Sequence, residues 1–324
     1  MTDLILASAA RSVMARRRIR AHIQETPLLP ARREGLWFKA ENFQLTGSFK
    51  IRGAASVMTA VPAGQALITA SSGNHGIGAA RAAQVLGRKL TVVLPENVVP
   101  EKLAKIRSHG VEVVLHGAET GLAEQHAQTL AHKTGARYIS PYNDADVIAG
   151  QGTIGLELLE QAGQIDNLVI AMGGGGLISG IGAVIKAFSP TTRIIGAAAE
   201  ASQALALSMQ AGCVVECDHL DTLADAVAGG IDEGTLTLPL AQAVVDEVVT
   251  CSEGEILSAL RSLAQDETLL VEGAAALAMA AFQKLGEKTA GKTNVVLLCG
   301  GNFDGPKIRA LALGQAPDPI KSTR

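Results

Sequence analysis

Short runs of aliphatic and β-branched residues alternate with longer stretches of helical periodicity along almost the whole chain. The runs at 36–40, 66–69, 90–94, 111–115, 168–171, 193–199 and 294–298 read as strands. Helical patterns at 48–59, 74–86, 101–108, 118–132, 146–161, 177–187, 252–264 and 272–285 lie between or beside them. Strands joined through helices cannot close as hairpins, so the pattern predicts an α/β fold with parallel-rich sheets flanked by helices. With 48% hydrophobic and 18% charged residues the chain can bury a large core, which excludes a disordered or fibrous protein. Residues 66–138 read as a self-contained set of β-α units. A smaller lobe, 65–141, is therefore expected inside a larger one made of 1–64 and 142–324, with a cleft between them. Residues 213–237 are turn-rich and receive no assignment.

The charge balance, 28 basic against 31 acidic residues, gives no field able to hold a polyanion, so nucleic acid is not an expected partner. The one basic cluster, Arg11, Arg16, Arg17, Arg18 and Arg20, is interleaved with Ala9, Ala10, Val13, Met14 and Ile19 and reads as an amphipathic first helix, not a transit peptide. No uninterrupted apolar stretch is long enough to span a membrane. Cys213, Cys217, Cys251 and Cys299 form no CxxC pair and have no histidine at zinc-ligand spacing. A reducing cytoplasm is the expected compartment.

Ligands of α/β folds sit at strand-to-helix turns, and the 35 glycines concentrate attention there. Four of them, Gly173, Gly174, Gly175 and Gly176, follow the buried run at 168–171 and precede a helical pattern. Such a turn lets backbone N–H groups converge on a phosphate at a helix N-terminus. Gly174, Gly176 and Gly180 with Glu200 after the next strand also imitate a dinucleotide fingerprint, and a plain tight turn is the bland alternative. A second turn, Ser71-Ser72-Gly73-Asn74-His75-Gly76, crowds polar groups at a helix start and suits a carboxylate, although capping alone could account for one serine. The third segment, Gly47-Ser48-Phe49-Lys50-Ile51-Arg52-Gly53, places Lys50 in the first turn of a helix expected to be capped near Ser48. The positive end of the helix dipole disfavours an ammonium there, and a neutral amine is a nucleophile toward an aldehyde. A lysine in this position is otherwise an ordinary surface group.

The series Thr26-Pro27-Leu28-Leu29, Glu41-Asn42, Gly47 through Gly53, Ser72-Gly73-Asn74-His75-Gly76, Ala149-Gly150-Gln151-Gly152-Thr153, the four glycines at 173–176 and Gly300-Gly301-Asn302 resembles the fold-type II pyridoxal-phosphate enzymes. The branch it resembles most is that of the serine/threonine dehydratases, which includes serine racemase. The series covers nearly the whole chain in the family's order, which sets the dinucleotide aside. The resemblance implies pyridoxal 5′-phosphate as cofactor, with Lys50 as the amine that bonds its aldehyde and Phe49 against its ring. It implies Asn74 on the phenolic oxygen, and Gly173, Gly174, Gly175, Gly176 and the Leu177 amide on the phosphate. Ser71, Ser72, Asn74 and His75 are similar to the family's substrate-carboxylate loop. Cys299 stands where the family places Ser, Thr or Cys beside the pyridine nitrogen. Glu272 stands where an acid lies near the cofactor, though it could equally serve the dipole of the helix it opens.

The activity implied is β-elimination from a β-hydroxy-α-amino acid such as L-serine or L-threonine, giving a 2-oxo acid and ammonia. Lys50 would then act as base on the α-proton. Ser72, as a proton donor on the opposite face, would give a serine or aspartate-type racemase instead. Another hydroxy-amino acid such as 3-hydroxyaspartate is a further alternative, and a non-catalytic cofactor-binding protein a distant one. Family members with a divalent-cation site use an acid at the position of Glu200 and a second six residues on. Here the second position is Ala206, so no metal is expected. The polar tail ending at Arg324 leaves no expected room for an appended regulatory domain, and the partners expected are a small amino-acid substrate and a second copy in a homodimer.

Overall fold

The computed structural model describes residues 2–303; the tail ending at Arg324 lies outside the described residues. In chain order the elements are α1 (Thr2–Ile19), β1 (Leu28–Pro30), β2 (Leu36–Ala40), α2 (Lys50–Ala60), β3 (Leu67–Ala70), α3 (Asn74–Leu86), β4 (Leu90–Leu94), α4 (Pro100–Arg107), β5 (Glu112–Leu115), α5 (Thr120–Thr134) and β6 (Arg137–Tyr138). Then follow α6 (Ala145–Gln161), β7 (Asn167–Ala171), α7 (Gly176–Phe188), β8 (Arg193–Ala199), α8 (Ala204–Ala211), α9 (Thr237–Val244), β9 (Glu247–Cys251), α10 (Glu253–Gln265), α11 (Gly273–Leu285) and β10 (Asn294–Leu298).

Two sheets result, a six-stranded one in the order β1-β2-β10-β7-β8-β9 and a four-stranded one in the order β5-β4-β3-β6. Every pairing is parallel except that of β1 with β2, whose short connection permits an antiparallel return. The parallel-rich α/β architecture expected from the alternating pattern is the one observed. The central strands β7 and β10 are buried along their full length, as a parallel sheet covered on both faces requires. On one side of the large sheet α11 packs against β7 and β10; α1, α6 and α7 pack together. A Cβ on Gly180 of α7 would collide with the Ile148 carbonyl of α6, so glycine sets how closely these two helices approach. The smaller core gathers α3, β3 and β4 with Ile51, Ala54, Val57 and Met58 of α2. Thus the helix that begins at Lys50 packs on α3 of the smaller core and on α6, while its first residue lines a cleft at the ends of the six-stranded sheet.

The basic segment near the N-terminus is helical as expected. Its inner face buries Ala9, Ser12, Ala15 and Ile19, and Arg16 forks onto Glu160 of α6. Among the described residues no helix is long and apolar enough to cross a membrane.

A buried ionic quartet ties β2, α2 and α6 together. Arg52 binds Glu41 through Nε and Nη2, each at 2.8 Å, and Glu157 through Nη1 at 2.5 Å and Nη2 at 2.9 Å. Lys39 Nζ donates to Glu157 Oε2 at 2.6 Å, to the Thr26 carbonyl at 2.7 Å and to Gln161 Oε1 at 2.9 Å. Two cations against two carboxylates leave no net buried charge, which is the condition under which such a group is tolerated.

Candidate active site

The turns after β7 and β10 and the starts of α2, α3, α7 and α11 surround one cleft of about 500 Å³. Phe49, Lys50, Asn74, Gly173, Gly174, Gly175, Gly176, Leu177 and Cys299 all line it. So do Pro141, Tyr142, Ala226, Val227 and Glu272. These residues come from segments far apart in the chain, and only the fold brings them together.

Lys50 is the first residue of α2, and its Nζ donates to the Pro141 carbonyl at 3.0 Å while lying 5.2 Å from the centre of the Phe49 ring. Burial drives its pKa down from 10.5 to about 8, against the opposing pull of Cys299 and Glu272. Burial is the largest cause, because the ammonium loses water without gaining an ion pair. One expectation is corrected. Ser48 does not cap the helix: Phe49 is the N-cap, no side-chain cap bond forms, and the Ser48 hydroxyl is buried without a partner. The backbone of Ser48 instead bridges to Gly300, which fixes the start of α2 against the end of β10.

At neutral pH the lowered pKa leaves about one Lys50 in ten as the free amine, against about one in three thousand for an unperturbed lysine. In the cofactor-free protein, competitive acylation of Lys50 followed by mass spectrometry is therefore expected to rise with pH around a midpoint near 8. A midpoint near the ordinary 10.5 would contradict the burial argument.

The glycine turn fits a phosphate. A Cβ on Gly174 would stand 2.5 Å from the Tyr142 ring, and one on Gly173 2.9 Å from Val227 Cα. Gly175, at φ +87°, is in the left-handed region that glycine enters without strain. The N–H groups of the first turn of α7 have no acceptor inside the helix and converge with its positive dipole end on the cleft.

Cys299 directly follows β10 with its thiol buried, and burial, reinforced by the nearby Glu272 carboxyl, pushes its pKa well above the ordinary value, so it stays neutral. Glu272 faces it, with Cys299 Sγ 3.9 Å from Oε1. Burial raises the Glu272 pKa to about 7, although Asn74 donates to both carboxyl oxygens at 2.9 Å.

The turn 71–76 is placed differently from the lining residues. The Ser71 hydroxyl accepts the Gly73 N–H at 3.2 Å. Ser72 is half-buried, and neither serine, nor His75, is among the residues that line the cleft. His75 is buried, with Nε2 2.9 Å from Thr69 Oγ1. Because the Thr69 hydroxyl donates to the Ile139 carbonyl at 2.8 Å, Nε2 carries the proton and Nδ1 is left as a buried, unpartnered acceptor. Burial, then the nearby Lys50 charge, lowers the His75 pKa to about 3, so it is neutral. The crowding of polar groups read at this helix start is thus partly internal structure. Asn74 alone of the four presents its side chain to the cleft.

Sequence reasoning missed Pro141, Tyr142, Ala226 and Val227. The first two follow the two-residue strand β6, whose shortness hides the strand-end turn. Ala226 and Val227 lie in a single 3₁₀ turn inside the irregular stretch that carries no periodic signal.

A family model described as pyridoxal-phosphate dependent enzyme matches residues 19–300. An L-threonine ammonia-lyase of Geobacter sulfurreducens is 42% identical over 273 residues, 83% of this chain and 67% of that protein. An L-threo-3-hydroxyaspartate ammonia-lyase of Saccharomyces cerevisiae is 34% identical over 314 residues, 94% of this chain and 96% of that protein. Among solved structures, a T.th. threonine deaminase superposes with a TM-score of 0.84 at 40% identity, covering 91% of this chain and 98% of that one. A match spanning nearly all of the described residues, over a cleft that joins a half-buried lysine to a turn of four glycines, assigns the chain to the pyridoxal-phosphate dependent enzyme family, with pyridoxal 5′-phosphate as its cofactor.

Proposed function

We propose that the protein is an ammonia-lyase that removes the β-hydroxyl and the amino group of L-threonine or L-serine, giving a 2-oxo acid and ammonia. The observation that carries this reading is the meeting, in one cleft, of a lysine poised to lose its proton, a neutral thiol and a phosphate cradle. Relatives named for ammonia loss from threonine and from 3-hydroxyaspartate support it.

When bound, pyridoxal phosphate supplies an electron sink that makes the Cα–H of the amino acid acidic. The residues of the chain do the rest. The amides of Gly173, Gly174, Gly175, Gly176 and Leu177 would hold the phosphate, Phe49 would lie against the ring, and the Asn74 amide would donate to the phenolic oxygen. Lys50 Nζ is the amine that would hold the cofactor and, when free, would take the proton from Cα; its lowered pKa suits both tasks at neutral pH. The turn carrying Ser71, Ser72, Asn74 and His75 receives the substrate carboxylate, with its backbone N–H groups at the start of α3 as the donors and Ser72 at its rim. Cys299 cannot protonate the pyridine nitrogen as an acid would, which keeps the electron sink moderate and favours elimination over reactions that need a longer-lived carbanion.

Cys299→Asp is accordingly expected to slow ammonia release and raise exchange of the α-proton with solvent. An unchanged ratio of exchange to elimination would mean that Cys299 does not face the ring nitrogen.

No cation is needed in this scheme: Glu200 follows β8 at the surface, and the residue six further on is Ala206 of α8. We further read the protein as a cytoplasmic homodimer of two-lobed subunits, the smaller lobe being 65–141. Four cysteines without disulfides suit a reducing compartment. Leu4, Leu6, Val13 and Met14 leave apolar surface on α1 for a second copy to cover.

The deciding experiment offers the holoenzyme L-threonine, L-serine and L-threo-3-hydroxyaspartate in turn. The 2-oxo acid and ammonia should appear in equal amounts from L-threonine or L-serine. Inverted amino acid without 2-oxo acid would support a racemase instead, and product from hydroxyaspartate alone would move the substrate assignment.

A further inference from the structure

We propose that Glu272, together with Asn302, is a positioning residue that locks the Asn74 carboxamide with its nitrogen toward the cleft, so that a donor meets the phenolic oxygen of the cofactor. This rests on the reading above, in which Asn74 serves that oxygen.

The two ends of a carboxamide are nearly equal in shape but opposite in hydrogen-bonding sense, so an asparagine side chain presents the intended end only if its partners forbid the other. Around Asn74 they do. Asn302 Nδ2, which can only donate, lies 2.8 Å from Asn74 Oδ1. The orientation of Asn302 is itself fixed, because its Oδ1 accepts from Lys105 Nζ at 2.9 Å and its Nδ2 also donates to the Thr46 carbonyl at 2.7 Å. An ammonium has no acceptor, so the polarity of the chain is set from its outer end and runs from Lys105 through Asn302 and Asn74 to Glu272. Asn74 Nδ2 lies 2.9 Å from each oxygen of Glu272, and that residue lines the cleft whereas Asn302 does not. One N–H of Asn74 is spent on the carboxylate, and the other is left for a ligand.

Glu272 is built into this place. It is the N-cap residue of α11, yet its side chain makes no capping bond, so service to its own helix does not explain the acid. The backbone N–H of Asn302 donates to Oε2 at 3.2 Å. A Cβ on Gly300 would collide with Oε1, so the glycine there makes room for the carboxylate. The side chain thus accepts from Asn74 Nδ2 at both oxygens and from Asn302 N at Oε2, with the Cys299 thiol as a third, longer donor to Oε1. A glutamine of the same shape, whichever way its amide turned, would set an NH₂ against the Asn74 NH₂, because Asn74 Nδ2 lies 2.9 Å from both terminal positions.

The test measures the cofactor dissociation constant and the visible absorbance of the holoenzyme for Asn74→Ala, Glu272→Gln, the double variant and Asn302→Asp. Leaving a buried donor facing a donor is expected to weaken cofactor binding on the order of 10- to 100-fold in Glu272→Gln. The visible band should shift with it, because the phenolic oxygen loses its fixed donor. In the Asn74→Ala background the same substitution should have little further effect, since its route to the cofactor is gone. Asn302→Asp, at a partly exposed position, puts an acceptor where Asn74 now finds a donor and should reproduce the shift in the band. Equal effects of Glu272→Gln in both backgrounds, or no change in the band in Glu272→Gln and Asn302→Asp, would overturn the inference. An Asn74→Ala protein that binds and absorbs normally would instead overturn the assignment of Asn74 on which it rests.

Discussion

Lys50→Ala is expected to lower turnover by about 10³-fold or more while leaving the fold intact. The loss is large because one amine is removed from two tasks, bonding the cofactor and taking the α-proton. Stability should hold or rise. Alanine is the best helix former at the start of α2, and the lysine it replaces is half-buried with a single hydrogen bond, to the Pro141 carbonyl. The sign can be checked. A lysine whose folded pKa lies at about 8, below its ordinary 10.5, favours the unfolded state in its charged form, so its removal stabilises the cofactor-free protein most below pH 8. A melting curve and a turnover assay on the same preparation separate the two effects. Turnover within tenfold of the parent would remove Lys50 from the chemistry.

The second large effect is on stability. Glu157→Ala takes away the carboxylate that Arg52 and Lys39 share and leaves two buried cations with Glu41 alone. Breaking a buried pair in this way costs about 3–5 kcal/mol, unlike the roughly 0–1 kcal/mol of a surface pair. Denaturant unfolding of the cofactor-free variant should show the larger value. The damage should reach the cofactor as well, since Arg52 lies on α2 beside the residue that bonds it. A change of less than about 1 kcal/mol would mean that the quartet is hydrated in solution and carries no such weight.

What was legible in the sequence follows from what each signal depends on. Helix α3 was read with its observed bounds because a glycine turn precedes it and Gly87, at φ +63°, stops it. The glycine turn that lines the cleft was legible because four glycines stand between a buried strand and a helix. Helix α9 was missed. It carries Pro239 in its first turn, where a missing N–H costs nothing, yet proline in a short segment reads as a break. Strand β9 is a partly exposed edge without clean alternation, and β6 has two residues. Inside the site, identities were readable and directions were not. Lys50 was singled out by its place at a helix start, while the burial that lowers its pKa is made by segments far from it in the chain. His75 was read with the substrate loop from the polar crowding at this helix start, and nothing in the sequence shows that its ring turns to Thr69. The bond between Asn74 and Glu272 joins residues 198 apart, and no local pattern announces it.

The account stands most directly on which lysine carries the cofactor. Borohydride reduction of the purified holoenzyme, followed by digestion and mass mapping, should leave the pyridoxyl group on the peptide that contains Ser48, Phe49 and Lys50. Reduction that leaves the cofactor on any other lysine, or on none, would contradict it.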